Sequence, residues 1–285
     1  ERCDGHRAAL VILEPAGKYL AQRLERALHR QLRQAERDVL ENIVELFAAG
    51  HGLTEGPRHG AGKALNDDFQ FARFAAMMTQ QCAGAQAQYE DIANYSILEG
   101  DNVNEWNSHY SAITDCNILI DQAGDLNPHY RGIGKVLKAM NLALTTDLWG
   151  DVPNREAGKG LQGEEFFNPA YDSQESIYQD IQTLLSEALT DLAKDAGSNT
   201  ILPGLDDLIF NGDVTKWTIT ANVLKARFEN RLSKRDPAGS ATRALAALDA
   251  AKAAGLAGPD TDCNAIFPGD GNSLNQWYAF QVTRG

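Results

Sequence analysis

Apolar residues return every three or four positions along most of this chain. In residues 130–153, YRGIGKVLKAMNLALTTDLWGDVP, Ile133, Leu137, Met140, Leu144 and Leu148 follow spacings of four, three, four and four. That is one seam on an α-helix. Lys135, Lys138, Asn141 and Thr145 fall on the reverse face, which predicts that they face water. Pro128 and Gly132 mark the start. Gly150 and Pro153 mark the end, because glycine tolerates a left-handed cap and proline cannot continue the hydrogen-bond ladder. Ala139, Leu142 and Ala143 widen the apolar face, so neighbours are expected on more than one side. The same spacing recurs in Ile177, Ile181, Leu184, Ala188 and Leu192, and again in Trp217, Ala221, Leu224, Phe228 and Leu232. Matched seams predict layers of paired helices. They report architecture, not activity.

The other segments fit between these helices. Phe69–Cys82 is predicted helical with Phe71, Phe74 and Met78 inward. Tyr89–Asn104 reads as a long polar loop. A further helix carries Trp106, Tyr110, Ile113 and Ile120, with Asn117 on the same seam. A buried amide needs partners, so Asn117 is expected to tie two elements together. Asp172 with Glu175, and Asp213, are read as helix N-caps. Ala196–Gly212 is a loop. Asp236-Pro237 ends the Trp217 helix, and Ala238–Ala254 is an alanine-rich helix packed by Leu245 and Leu248 that stops at Gly255. In the tail, Ala265–Gly285, turn residues precede QWYAFQVT, which reads as extended.

Composition narrows the function classes. Of 285 residues, 43% are hydrophobic, and mean hydropathy is −0.37, consistent with a substantial core and a polar surface. No run of ~20 apolar residues predicts a membrane-spanning helix. The apolar run Ala8–Leu13 is too short for a secretory leader, so no targeting segment is expected in the chain as given. A net charge of −13 argues against nucleic acid or an anionic membrane surface as the main partner. Cys3, Cys82, Cys116 and Cys263 form no close pair, so no zinc site of ordinary spacing is expected. Cys82 and Cys116 sit among apolar residues and read as small buried hydrophobes.

Residues 1–65 stand apart, holding 10 of the 26 Lys+Arg but only 9 of the 39 Asp+Glu. Tyr19–Ala49 has a leucine stripe (Leu20, Leu24, Leu28, Leu32) and an arginine-rich flank diluted by acids, which reads as a solvated helix face. Gly50–Gly62 is a linker. Overlapping its end, GPRHGAGKA (Gly56–Ala64) fails as a phosphate loop, with Pro57 at the first glycine position and Ala64 at the hydroxyl position.

Five strings, in order, resemble one family: LNDDFQFARFAAMMTQQCAG, WNSHYSAITDCNILIDQA, YRGIGKVLKAMNLALTTDLWGDVP, FNPAYDSQESIYQDIQTLLSEAL and IFNGDVTKWTITANVLKARFENRLS. They are similar to the SusD/RagB family of nutrient-binding outer-membrane lipoproteins of Bacteroidetes, in its SusD-like branch. The resemblance covers about residues 65–285. It implies an all-α fold of tetratricopeptide-like helix pairs, Tyr130–Trp149 with Ser173–Ala193 and Thr215–Lys234 with Ala238–Ala254, with long loops carrying the ligand-binding part. It also implies a non-enzymatic role at the cell surface. The protein would hold glycan or peptide nutrients over a SusC-like TonB-dependent transporter, attached to the outer membrane by a lipid anchor not visible in this chain. Residues 1–65 do not resemble the family and are expected to be foreign to it. Residues 66–285 are expected to be a SusD-like domain lacking its C-terminal part.

Sugar recognition needs exposed aromatic faces for the C–H side of a pyranose and amides or charges for its hydroxyls. Loop aromatics are therefore the candidates: Tyr89, Tyr95, Trp277 and Tyr278, with Asn102 and Asn104 as polar partners. Trp149 and Trp217 lie in helical seams and are expected in the core. No catalytic residue, metal ligand or cofactor site is assigned. Two alternatives compete. One is an all-helical glycoside hydrolase, which needs two carboxylates flanking a cleft. The adjacent pairs Asp67-Asp68 and Asp206-Asp207 are better explained as caps or loops. The other is a helical-repeat scaffold for another protein.

Overall fold

The computed structural model describes residues 72–83, 87–207, 209–264 and 282. Residues 1–71 lie outside that range, and with them the expected division near residue 65. So does the segment 265–281. The described elements are α1 (72–78), α2 (Ala87–Ala93), α3 (Val103–Ala123), α4 (Pro128–Trp149), α5 (Gln174–Leu192), α6 (Val214–Arg231) and α7 (Pro237–Ala253). Among the described residues, strands are confined to one short antiparallel pair, β1 (Val152–Pro153) and β2 (Tyr171–Asp172). From α3 onward each helix packs on the next, so the fold is all-α, built from successive helix pairs. The expected pairings α4 with α5 and α6 with α7 are both present.

Helix α4 is the centre of these layers. Pro128 occupies its first turn, where a missing N–H costs nothing, and the chain leaves it at Gly150, whose φ is +79°. Gly132 lies inside the helix, not at its start, for a packing reason. A Cβ there would sit 2.9 Å from Leu192 Cγ of α5. One at Gly134 would sit 3.0 Å from Ile120 Cγ1 of α3. The two glycines let neighbours approach α4 from two sides. Burial therefore extends beyond the predicted seam. Ile133 and Met140 are buried and Leu148 is exposed, while Asn141 and Thr145, expected to face water, are buried. Each donates one bond to the helix itself: Asn141 Nδ2 to Leu137 O (2.9 Å) and Thr145 Oγ1 to Asn141 O (2.7 Å). Lys135 is likewise not on a wet face. It joins Arg131 around the buried Asp191 of α5, at 2.9 Å from Lys135 Nζ and 2.7 Å from Arg131 Nη2. Burial also lowers the Lys138 ammonium below the usual range.

Several local readings change in detail. The 89–104 segment is not a loop throughout: α2, a 3-10 turn at Glu99–Asn102 and the start of α3 occupy most of it. Phe74, Met77, Tyr89 and Ile92 form a small core, with Met78 only partly buried against it, while Phe71 lies outside the described residues. On α5 the inward residue is Leu185, and Leu184 is half-buried. Ser173, not Asp172, caps α5, accepting from Ser176 N. Asp172 turns back to accept the N–H groups of Asn154 (3.1 Å) and Arg155 (2.9 Å).

Asp213 caps α6 as expected, accepting from Thr215 N at 3.0 Å and Lys216 N at 3.2 Å. Asp236 does the same for α7, accepting from Gly239 N at 3.1 Å. Helix α7 stops at Ala253, just before Gly255. It packs by Ala244, Ala247 and Ala251 with Leu248 partly buried, whereas Leu245 is exposed. Small residues at the contact let the two helix axes come close.

Candidate functional site

The expected ligand residues separate in the structure. Tyr89 belongs to α2 and is 1% exposed. Its ring packs under the Arg73 guanidinium, 4.9 Å from the centroid, so it offers no face to a ligand. Burying an aromatic ring contributes more than leaving it in water, and the sequence expectation of a loop was wrong at this point. Tyr95 is different. It follows α2 with φ +62° and is 69% exposed. The left-handed backbone costs an aromatic residue ~1–2 kcal/mol. Tyr95 N donates to Ile92 O (3.0 Å) and Tyr95 Oη to Met78 O (2.8 Å), which fixes the ring at both ends.

Ile97, Leu98 and Val103 are also exposed on this stretch. The turn that follows is pinned reciprocally: Leu98 N donates to Asp101 Oδ2 (2.8 Å) and Asp101 N to Leu98 O (3.1 Å). Asn102 ends this turn and Asn104 lies in the first turn of α3, so both share the Tyr95 stretch of chain. Trp277 and Tyr278 lie outside the described residues.

A second aromatic group stands where the sequence suggested only core. Trp106, Tyr110 and Trp149 are each half-buried. Trp106 lies 4.8 Å from Tyr110 and meets Trp149 edge-on at 5.2 Å. Tyr110 Oη donates to Pro153 O at 2.9 Å. The β pairing then sets Tyr171 across from Pro153, and Tyr171 is 66% exposed. Burial, with the nearby Tyr171 and Asp172, raises the Tyr110 hydroxyl well above the ordinary tyrosine value, so it stays a donor. The sequence signals were present: W-x-x-x-Y places two rings one turn apart on a helix, and YD precedes the α5 cap. Reading the spacing as a core seam hid them. Trp217, by contrast, is in the core at 1% exposure, with its indole N–H donating to Asp207 Oδ2 at 2.7 Å. Asn117 does tie two elements, donating from Nδ2 to Ala157 O at 3.1 Å.

The carboxylate pair is engaged structurally. Asp206 accepts from Tyr130 Oη (2.6 Å) and Gly204 N (2.9 Å), and the Tyr130 bond holds its carboxyl below the usual range. Asp207 accepts from the Trp217 indole and from Gly212 N at 3.0 Å. Asp67 and Asp68 lie outside the described residues. Among the described residues, no three His, Cys, Asp or Glu side chains gather to hold a metal. Cys82, Cys116 and Cys263 are free thiols. Burial raises all three, Cys116 and Cys263 to about 12, so they stay protonated at neutral pH. No helix among the described residues is long and apolar enough to cross a membrane.

Paired helical layers joined by loops and turns define an all-α, helical-repeat class of fold. Within it, the SusD-like family, described as starch-binding and associating with the outer membrane, matches residues 61–285. The chain belongs to that family. Among solved structures, a SusD/RagB family protein from Bacteroides thetaiotaomicron is similar with a TM-score of 0.65 and 24% identity, over 85% of this chain and 48% of that one. A SusD homolog from Parabacteroides distasonis gives 0.58 and 21% identity, over 85% and 46%. A chitin-binding protein gives 0.54 and 26% identity, over 66% and 39%. The chain thus spans about half the length, or less, of these structures. None of the curated proteins compared matches it.

Proposed function

We propose that this protein binds nutrient glycans at the cell surface and passes them to a SusC-like TonB-dependent transporter, held at the outer membrane by a lipid anchor. The observation that carries the reading is the family match over residues 61–285, to a family described as starch-binding and outer-membrane associating. The chitin-binding neighbour extends the ligand class from α- to β-linked neutral sugars; peptide is the other nutrient class. Recognition falls to the exposed Tyr95 ring, with Asn102 and Asn104 on the same stretch and Trp277 and Tyr278 in the tail. A ring already fixed in place loses little freedom when a sugar stacks on it. The role is passive: the Asp206 and Asp207 carboxylates are taken up by the fold.

The test is affinity electrophoresis and calorimetry of the 285-residue chain with starch- and chitin-derived oligosaccharides, followed by product analysis. Binding without hydrolysis is expected, and Tyr95→Ala and Trp277→Ala should each weaken it. Failure of the protein to bind any member of a broad neutral-glycan and peptide panel would remove the reading. Turnover abolished by one carboxylate substitution would replace it with a hydrolase. Co-purification with the transporter, lost in cells lacking it, tests the delivery step.

A further inference from the structure

The β1–β2 pair and the start of α3 carry aromatic surface that the packing of the helices does not use. Tyr171 is 66% and Phe167 65% exposed, four residues apart in a segment otherwise tied down. Large rings left in water forgo burial free energy, which makes a fixed, exposed group of them informative. The backbone of the hairpin connects these residues. Tyr171 pairs with Pro153, the Pro153 carbonyl holds Tyr110 Oη at 2.9 Å, and the Tyr110 ring lies tilted against Trp106, 4.8 Å between centroids. Trp149 backs Trp106 edge-on.

The support is rigid for identifiable reasons. Asp151 Oδ1 accepts from Gln174 N (2.8 Å), Asp172 accepts from two successive backbone N–H groups, and Glu156 Oε2 accepts from Ala170 N (2.9 Å). Carboxylates of the connection between α4 and α5 therefore hold its two ends, residues 151–156 and 170–174, against each other. The exposed guanidinium of Arg155, bridged to Asp172 (3.3 Å) and Asp180 (3.2 Å), puts hydrogen-bond donors at the edge of the same hairpin.

We propose that Tyr171, supported by Tyr110 and Trp106, forms a second saccharide-stacking subsite for neutral pyranosyl rings, separate from the Tyr95 stretch; this rests on the glycan-binding reading above. An aromatic face suits the apolar C–H side of a pyranose, and the hairpin's charged groups suit its hydroxyls. The choice of neutral sugars follows from charge. Asp151, Glu156, Glu164, Glu165 and Asp172 outnumber Arg155 and Lys159 on this connection. An anionic sugar would meet like charge there.

The experiment compares the full chain with Tyr171→Ala, Tyr171→Phe and Tyr95→Ala by calorimetric titration with maltohexaose, chitohexaose and an oligogalacturonate. Circular dichroism and unfolding midpoints serve as the folding check, which an exposed residue should pass. For the neutral hexasaccharide that binds, Tyr171→Ala should weaken affinity about tenfold and Tyr171→Phe should restore most of it, since the ring face supplies the contact. The oligogalacturonate should bind more weakly than either neutral sugar. If the parent chain and Tyr171→Ala bind equally while Tyr95→Ala binds less, this subsite is wrong and the glycan-binding reading stands. If the parent chain binds none of the three, the subsite falls, and the wider reading faces its broader panel. Tighter oligogalacturonate binding would overturn the neutral-sugar assignment.

Discussion

The two helix pairs solve the same packing problem with different chemistry. Helices α4 and α5 meet through Gly132, where an added Cβ would crowd Leu192, through large aliphatic residues, and through a buried carboxylate, Asp191, shared by Arg131 and Lys135. Helices α6 and α7 meet through alanine: Ala226 against Ala244 and Ala247. Their polar links lie at one end, where Ser240 Oγ donates to Glu229 O and Arg243 Nε to Glu229 Oε2 at 2.8 Å. One pair depends on shape and charge placed together. The other depends on smallness. The first is therefore sensitive to single atoms at a few positions, and the second to added volume anywhere along its seam.

Perturbing the charge should break this contrast most strongly. Asp191→Ala removes the carboxylate shared by two mostly buried cations, at 22% and 13% side-chain exposure, and leaves Arg131 only the exposed Asp125 and Lys135 only Glu187. The expected cost is ~3 kcal/mol, at the low end for a broken buried pair because both cations still reach some water. It is read from the shift in urea midpoint. A loss under 1 kcal/mol would show that the network contributes little to α4–α5 packing.

Next comes volume. Gly132→Ala forces a methyl to 2.9 Å from Leu192 Cγ, for a net loss of ~1–2 kcal/mol after the better helix propensity of alanine is counted. Ala244→Leu on the other pair should cost a similar ~1–3 kcal/mol, because that seam is also full. If Gly132→Ala were stabilising, the close approach of α4 and α5 would be wrong.

Acid provides a gentler test. Burial pushes the Asp191 carboxyl upward, but hydrogen bonds and attraction from Arg131 and Lys135 outweigh it, so its folded value lies below the unfolded one. Its contribution is thus complete above the unfolded value of about 4 and is lost as pH falls through the lower folded value. Parent and Asp191→Asn stability curves should converge toward acid in that window. Parallel curves down to the lowest pH measurable would contradict the pairing. The smallest expected effect is Leu245→Gln: the residue is exposed, so the change should stay within ~0.5 kcal/mol by the same urea assay.

Several misreadings share one physical cause. A 3.6-residue period identifies a helix and one buried stripe, but it cannot say how many neighbours surround the helix. The widened apolar face predicts more than one neighbour for α4, yet the spacing still leaves Asn141, Thr145 and Lys135 on a face expected in water. Two glycines that admit α3 and α5 on separate sides overruled that. The error reversed at Trp106 and Tyr110, where a regular spacing was taken for core although the β1–β2 pair leaves both half-exposed. Tyr95 was legible as an exposed aromatic because its neighbours are polar or turn-forming. Tyr89 was not, because the apolar residues that bury it come from α1.

The sequence by itself determined the helices and most of their ends, because periodicity and caps are local properties, and its ordered strings carried the resemblance that implied the pairing order. Ser173, Asp213 and Asp236 act through N–H groups only a few residues away. The tertiary structure decided which polar residues are buried and which aromatic rings stay in view, since each depends on groups from other elements, such as Arg73 over Tyr89 and the Pro153 carbonyl on Tyr110. Burial is a property of the space between elements, and that space exists only once the layers have closed.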